Sequence, residues 1–298
     1  MDGRTARKIV SEKELMPENP WIEPLFDLHQ HTDYYHRQDG DLLRHSRNLG
    51  VARTLLLPGA GWMIQGAPCG GNDWCRKTEA AAPGHFRRFA TADPAEPDAV
   101  RVLEAELQNG AIGIGEQKFE VPVDSPQMLA VFDVAKAYGV PVLVHFEHGK
   151  YNTGIANFEQ ILKAYPQVTF IGHAQTWWSN ISSAGEPADL YPIGKVTPGG
   201  LTDRLLADYP NLYGDLSAGS GLNAIRRDPE FSRGFLARHR HKLIWGSDCP
   251  CQDGSGGGWK QKMCIGRECL NQLWRLTESP IHFRALVWDN AFRAIPSL

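Results

Sequence analysis

Five residues of types that bind metal ions stand at the carboxyl ends of short apolar runs. They are His29, His31, His145, His173 and Asp248. Imidazole and carboxylate groups are common ligands of zinc and related divalent ions. Because residues two apart in an extended strand point to the same side, the His29/His31 pair could bind one ion together. The pattern therefore predicts a metal site built from the ends of several strands.

Strand ends can converge on one ion only if the fold gathers them at one place. A closed barrel of parallel strands does this, since all its strand carboxyl ends open on one face. Apolar, strand-like runs alternate with helical patterns along the chain, as repeated βα units require. The candidate strands are 25–29, 52–57, 86–91, 111–115, 140–145, 167–172, 211–215 and 242–246. The predicted fold class is α/β, a single (β/α)8 TIM barrel.

The intervening segments show helical spacing with ordinary stop signals. The pattern over 98–107 ends at an Asn-Gly pair, the pattern over 128–138 ends at a glycine, and a closing helix is predicted over 283–295. Residues 1–20 are polar and contain two prolines, so we expect an N-terminal arm there and one barrel domain over 21–298.

Composition narrows the classes of function. The chain has 298 residues, a normal length for one α/β barrel. Its net charge of −3 gives no sign of the basic excess that nucleic-acid binding requires. No apolar run approaches the roughly 20 residues of a membrane span, and the first residues lack an apolar signal region. These features favour a cytoplasmic protein that acts on a small molecule, and they leave homo-oligomer formation open.

Six cysteines at this length do not indicate a disulfide scaffold. The spacings between Cys69 and Cys75 and between Cys249 and Cys251 match no standard zinc motif. The expectation is therefore reduced thiols in loops.

Several segments around the candidate ligands resemble the amidohydrolase superfamily. The relatives of aminocarboxymuconate-semialdehyde decarboxylase are the most similar subgroup. The matching segments are 27–32, 113–118, 144–145, 172–173, 209–217, 246–248 and 288–293. The resemblance implies an eight-stranded βα barrel that holds one or two divalent ions, most often zinc. Manganese, iron and nickel remain alternatives because His/Asp sites accept them as well.

The fourth strand leaves the number of ions open. Glu116 and Lys118 lie two residues apart and so share one side of a strand. In some members of the superfamily a carboxylate at this strand, from a glutamate or a carboxylated lysine, bridges two metals. Glu116 is the preferred ligand and Lys118 the alternative, while a simple ion pair between them is also open.

The resemblance assigns two catalytic residues. Asp248 would bind metal and accept a proton from water. His173 would bind a second ion if there are two, or serve as the free acid and base if there is one. A site with two ions predicts a metal-dependent hydrolase that uses an activated water on a small-molecule ester, lactone or amide. A site with one ion predicts a lyase, namely a non-oxidative decarboxylase or a hydratase.

Four further residues are predicted to bind substrate. His148 and Lys150 follow His145 closely and could meet an anionic group, while Arg37 and Trp177 stand in the loops after the first and sixth strands. Asp215, at the end of the seventh strand, could orient a ligand by hydrogen bonds.

Overall fold

The computed structural model describes residues 20–298 except 22, 60–62 and 65–66. The predicted N-terminal arm thus lies outside the described residues apart from its last position. Eight parallel strands form a central wall: β1 (Leu25–Gln30), β2 (Val51–Leu56), β3 (Phe86–Arg88), β4 (Ile114–Gln117), β5 (Val142–His145), β6 (Phe170–His173), β7 (Leu212–Asp215) and β8 (Leu243–Ile244). A short hairpin, Met63–Ile64 with Ala67–Pro68, lies outside the wall.

The eight strands close into a ring. Strands β1, β2 and β3 pair in order, and β4 to β8 pair in order, all parallel. A bridge between Ala90 and Ile114 joins β3 to β4. The Leu28 amide donates to the Trp245 carbonyl at 3.3 Å, which joins β1 to β8. The predicted barrel and its eight strands are confirmed, with ends that shift by a few residues.

Helices follow the strands on the outside of the ring. They are α1 (Asp39–Leu49), α2 (Asn72–Ala81), α3 (Ala99–Gln108), α4 (Pro126–Tyr138), α5 (Phe158–Ala164), α6 (Gln175–Ser179), α7 (Leu201–Asp208), α8 (Ala218–Arg226), α9 (Pro229–Arg238), α10 (Ile265–Leu276), α11 (Pro280–Arg284) and α12 (Asn290–Ala294). A π-helical turn, Ala285–Asp289, joins the last two, so the predicted closing helix is present. Among the described residues, no helix is both long and apolar enough to cross a bilayer.

Apolar side chains fill the inside of the ring. They include Phe26 and Leu28 of β1, Leu55 of β2, Leu143 of β5 and Ile171 of β6, all fully buried. Ala291, Ala294 and Ile295 from the closing helix join this cluster. The interior is thus a packed core. The polar side chains at the strand carboxyl ends lie at the opposite opening.

Tryptophan packing at the end of β6 illustrates how tightly the strand ends are held. Trp177 is fully buried, and its ring lies against Phe146. A Cβ added at Gly172 would lie 2.5 Å from a ring atom of Trp177. Only glycine fits there, and it immediately precedes His173.

Gly172→Ala should therefore destabilise the protein by about 1–3 kcal/mol, because the added methyl forces the Trp177 ring or strand β6 to shift. Urea unfolding followed by circular dichroism measures the change. Gly40→Ala in α1 is the matched control, since a Cβ at Gly40 meets nothing within 4 Å. Equal stability of the two variants would contradict this packing.

Candidate metal centre

Strand β1 presents two imidazoles side by side. His29 and His31 are buried, and their Nε2 atoms lie 3.3 Å apart. His31 Nδ1 donates to the Leu57 carbonyl at 2.8 Å, and His29 Nδ1 lies 2.7 Å from Asp215 Oδ2. A carbonyl only accepts, so the proton of His31 sits on Nδ1 and its Nε2 carries a lone pair. Two nitrogens on one tetrahedral ion lie about 3.3 Å apart at ordinary zinc–nitrogen distances, which matches this pair.

Asp248 faces the same two nitrogens from the loop after β8. Its Oδ1 lies 3.7 Å from His31 Nε2, and its Oδ2 lies 3.9 Å from His29 Nε2. Oδ1 is buried and has no hydrogen-bond partner among the described residues. A buried carboxylate oxygen without a donor is costly unless a cation satisfies it. This orphaned oxygen fits a bound metal ion.

Glu116 at the end of β4 reaches both halves of the centre. Its Oε2 lies 3.6 Å from His31 Nε2 and 3.8 Å from His29 Nε2. Its Oε1 contacts His145 Nδ1 and lies 3.6 Å from His173 Nε2. Burial alone would raise the pKa of Glu116, but Lys118 and His145 outweigh it and hold the pKa well below its usual value. The ionised carboxylate therefore stands between two pairs of imidazoles.

The second imidazole pair comes from β5 and β6. Burial, with Lys118 nearby, lowers the pKa of His145, so its imidazole stays neutral and can act as a ligand. Its Nε2 lies 3.4 Å from Glu147 Oε2, while its Nδ1 faces Glu116. His173 Nδ1 lies 3.0 Å from Asp215 Oδ2, so its Nε2 faces Glu116. Each ring thus directs one nitrogen to the shared carboxylate.

Asp215 at the end of β7 orients two of the imidazoles. Its Oδ2 accepts from His29 Nδ1 at 2.7 Å and lies 3.0 Å from His173 Nδ1, and Ser217 donates to the same oxygen at 2.9 Å. Burial would raise the pKa of Asp215, but the two histidines outweigh it and keep the pKa below its usual value. Outer carboxylates of this kind set the tautomer of ligating histidines. The structure places Asp215 in this orienting position.

Protonation differs sharply between the two imidazoles of β1. Burial lowers the pKa of His31 to about 4. Burial acts in the same direction on His29, but the carboxylates of Asp248 and Asp215 outweigh it and raise the pKa to about 9. The carboxylates of Asp248, Asp215 and Glu116 all favour a positive charge at His29, so their convergence here suits a divalent cation.

A cavity of about 220 Å³ opens over the centre. Its wall contains His31, Tyr34, Glu116, Lys118, His145, Glu147, Lys150, Tyr151, His173, Ala174, Gln175, Tyr191, Ala218, Gly219, Ser220, Asp248 and Ile265. The structure thus brings Lys118 and Lys150, both predicted from sequence, to the cavity. Lys150 lies over the Tyr151 ring, with Nζ 4.6 Å from its centroid.

Arg37 is in a different place from the predicted one. It is buried, and its guanidinium donates to the carbonyls of Cys249 at 2.7 Å and of His31. All its nitrogens donate to backbone carbonyls or to the Gln30 side chain. The location argues against the substrate-binding role predicted for Arg37, because the side chain does not reach the cavity wall.

Trp177 and His148 also lie outside the cavity wall. Trp177 is buried in the packing around Gly172, and His148 is exposed to solvent. The loop after β5 turns so that Lys150, and not His148, faces the cavity. Position in the sequence did not reveal which way these loops turn.

Several cavity residues escaped sequence reasoning. Glu147 stands two residues after His145, so strand alternation could have indicated it. Tyr34 stands beside Tyr35 and His36 in the aromatic-rich loop after the first predicted strand, and Tyr151 follows the fifth. Tyr191 comes from a long segment with no motif, and no sequence signal points to it.

A parallel βα barrel with histidines and carboxylates gathered at its carboxyl-end opening is typical of a class of metal-dependent proteins. The profile of the amidohydrolase family matches residues 17–294, and the chain belongs to that family. The predicted resemblance is confirmed. Comparison with curated proteins finds no match.

Solved structures share the fold at low sequence identity. An uncharacterised TIM-barrel protein from Bordetella bronchiseptica has a TM-score of 0.62 at 12% identity, over 92% of this chain and 99% of that one. A probable 2-pyrone-4,6-dicarboxylic acid hydrolase from Acinetobacter baumannii, with citric acid bound, has a TM-score of 0.57 at 11% identity. The match covers 91% of this chain and 99% of that one. A dihydroxybenzoic acid decarboxylase from Polaromonas sp. JS666, with manganese and 2-nitroresorcinol bound, has a TM-score of 0.57 at 13% identity. The match covers 92% of this chain and 97% of that one.

Asp215→Asn should weaken metal binding about 10–100-fold, because an amide cannot hold both His29 and His173 in the required tautomer. Competition with a calibrated chelator measures the affinity. Asp203→Asn is the matched control, since Asp203 also accepts from a histidine, His239 at 2.6 Å, but far from the centre. Unchanged affinity in Asp215→Asn would show that the carboxylate does not orient the ligands.

Proposed function

We propose that this protein is a metal-dependent hydrolase that holds two divalent ions and cleaves a small-molecule ester, lactone or amide. The observation that supports it most directly is the position of Glu116. One of its oxygens faces the His29/His31 pair and the other faces the His145/His173 pair. A single carboxylate between two pairs of imidazoles is suited to bridging two ions.

The donors divide into two groups, and Glu116 of the second group also faces the two histidines of the first. His29, His31 and Asp248 form one group of converging ligand atoms, and Glu116, His145 and His173 form another. When bound, such ions lower the pKa of water toward about 7 and polarise a carbonyl oxygen. The nitrogen and oxygen donors suit zinc, which we propose as the natural ion, and they also accept manganese, iron or nickel.

Asp248 is the proposed general base. Its side chain faces the cavity, and its Oδ1 has no donor among the described residues. The oxygen of this carboxylate that does not bind an ion could accept the proton of the water that attacks the substrate and return it to the leaving group. His173 remains fixed by Asp215 and serves as a ligand in this arrangement.

The cavity lysines support an anionic substrate. Lys118 and Lys150 line the wall on the side of β4 and β5. An anionic group on the substrate, such as a carboxylate, would lie against these ammonium groups while the scissile carbonyl faces Asp248. The side chains of Tyr34, Tyr151 and Tyr191 line the same cavity.

A second candidate is a lyase that uses one ion, either a non-oxidative decarboxylase or a hydratase. The hydrogen-bonded His173–Asp215 pair favours it, since an imidazole held by a carboxylate is a common acid and base. The similarity in fold to the Polaromonas decarboxylase is compatible with this reading. In that case His173 would stay free of metal.

Asp248→Asn should lower kcat about 10²–10⁴-fold, because asparagine keeps the shape but cannot accept a proton. The assay is hydrolysis, by metal-loaded protein, of the best substrate from a panel of anionic esters, lactones and amides. Metal content and the unfolding midpoint of the variant are measured alongside. Near-normal kcat in metal-replete Asp248→Asn would reject its role as base, and a panel without turnover would reject hydrolysis.

His173→Ala separates the two candidates. The hydrolase proposal predicts a loss of about one bound ion per chain relative to the unaltered protein, measured by elemental analysis after purification without chelator. The lyase alternative predicts unchanged metal and lost activity. His239→Ala, a buried histidine outside the centre, controls for general damage. Unchanged metal in His173→Ala would move the lyase to first place.

A further inference from the structure

A second group of potential ligands lies apart from the metal centre. It consists of His45, Cys249, Cys251 and Cys264, all buried, and we call it the Cys–His cluster. The ligand atoms of the four residues lie within 4.8 Å of one another. Three sulfurs and one imidazole nitrogen form one of the standard donor sets of structural zinc.

Three separate elements supply the cluster. His45 comes from the middle of α1, Cys249 and Cys251 from the loop after β8, and Cys264 from the residue that precedes α10. Of the two cysteine pairs considered from sequence, only Cys249 and Cys251 belong to the cluster. Cys69 and Cys75 belong elsewhere, while a distant histidine and a third cysteine complete the set. The spacing along the chain therefore looked unlike a zinc motif.

Two distances within the cluster match those of tetrahedral coordination. The Sγ atoms of Cys249 and Cys264 lie 3.8 Å apart, and Cys264 Sγ lies 3.5 Å from His45 Nε2. On a tetrahedral zinc with ordinary bond lengths, two sulfurs lie about 3.8 Å apart, and a sulfur and a nitrogen about 3.6 Å apart. A disulfide would require about 2.05 Å between the sulfurs. The arrangement thus has the spacing of a metal site.

The surroundings suit the charge of such a site. Three thiolates and a neutral imidazole around a divalent ion carry one net negative charge. The Arg37 guanidinium is buried beside them and donates to the carbonyls of Cys249 at 2.7 Å and Cys251 at 3.4 Å. This cation offsets the excess charge and holds the loop that carries two of the ligands.

We propose that His45, Cys249, Cys251 and Cys264 bind a structural zinc ion. All four positions are filled by protein and the cluster is buried, so no place remains for substrate. The ion would join α1, the loop after β8 and the start of α10. Since Asp248 immediately precedes Cys249, the ion would also fix the loop that carries the proposed general base.

X-ray absorption at the zinc edge tests the proposal on the whole protein as purified. It should show a sulfur shell at about 2.3 Å, which the nitrogen and oxygen donors of the metal centre cannot produce. Cys264→Ser should lose this shell and about one zinc per chain. Cys269→Ser is the matched control, because Cys269 is also buried on α10 but donates to the Leu216 carbonyl, outside the cluster. It should keep both.

Cobalt substitution of the unaltered protein gives a readout that does not depend on whether Cys264→Ser folds. Cobalt in the cluster should produce thiolate-to-metal charge-transfer absorption in the near ultraviolet. Absence of both the sulfur shell and this absorption in metal-replete protein would overturn the proposal. A Cys249–Cys264 disulfide found by mass spectrometry of freshly purified protein would overturn it as well. Failure here leaves the hydrolase proposal intact, since the ligand sets do not overlap.

Discussion

The seam between the first and last strands of the barrel is the constraint on which the rest of the site depends. Asp27 is fully buried there, which raises its pKa, and it accepts from the Ser247 amide at 2.7 Å and from the Ser247 hydroxyl. One residue further along, the Asp248 amide donates to the His29 carbonyl at 2.8 Å. Only when this seam closes do the imidazoles of β1 meet the carboxylate that follows β8.

The same seam connects the two candidate metal sites. Gln30 donates to the Ser247 hydroxyl at 2.8 Å, and Arg37 joins the His31 carbonyl to that of Cys249. A buried guanidinium without these acceptors would be costly, so these hydrogen bonds hold the two segments together. A zinc ion in the Cys–His cluster would therefore stabilise the backbone that positions Asp248. The stability of the Cys–His cluster and the geometry of the metal centre thus depend on shared hydrogen bonds.

Sequence reasoning predicted which side chains lie together where their place on a strand decides it. His29, His31, His145 and His173 end apolar runs, and parallel closure brings such ends together. It failed where the direction of a loop decides. Arg37 turns inward to satisfy carbonyls, and Trp177 turns inward to cover Gly172. It gave no sign that His45 and three cysteines lie together, because contacts between distant elements leave no periodic signal along the chain.

Anomalous diffraction from crystals of the metal-loaded protein, recorded on both sides of the metal absorption edge, tests the two-ion centre most directly. Two bound ions should give two anomalous peaks at the metal centre, about 3.5–4 Å apart, with the Glu116 carboxylate between them. A single peak held by His29, His31 and Asp248, with His145 and His173 free of metal, would contradict the two-ion centre.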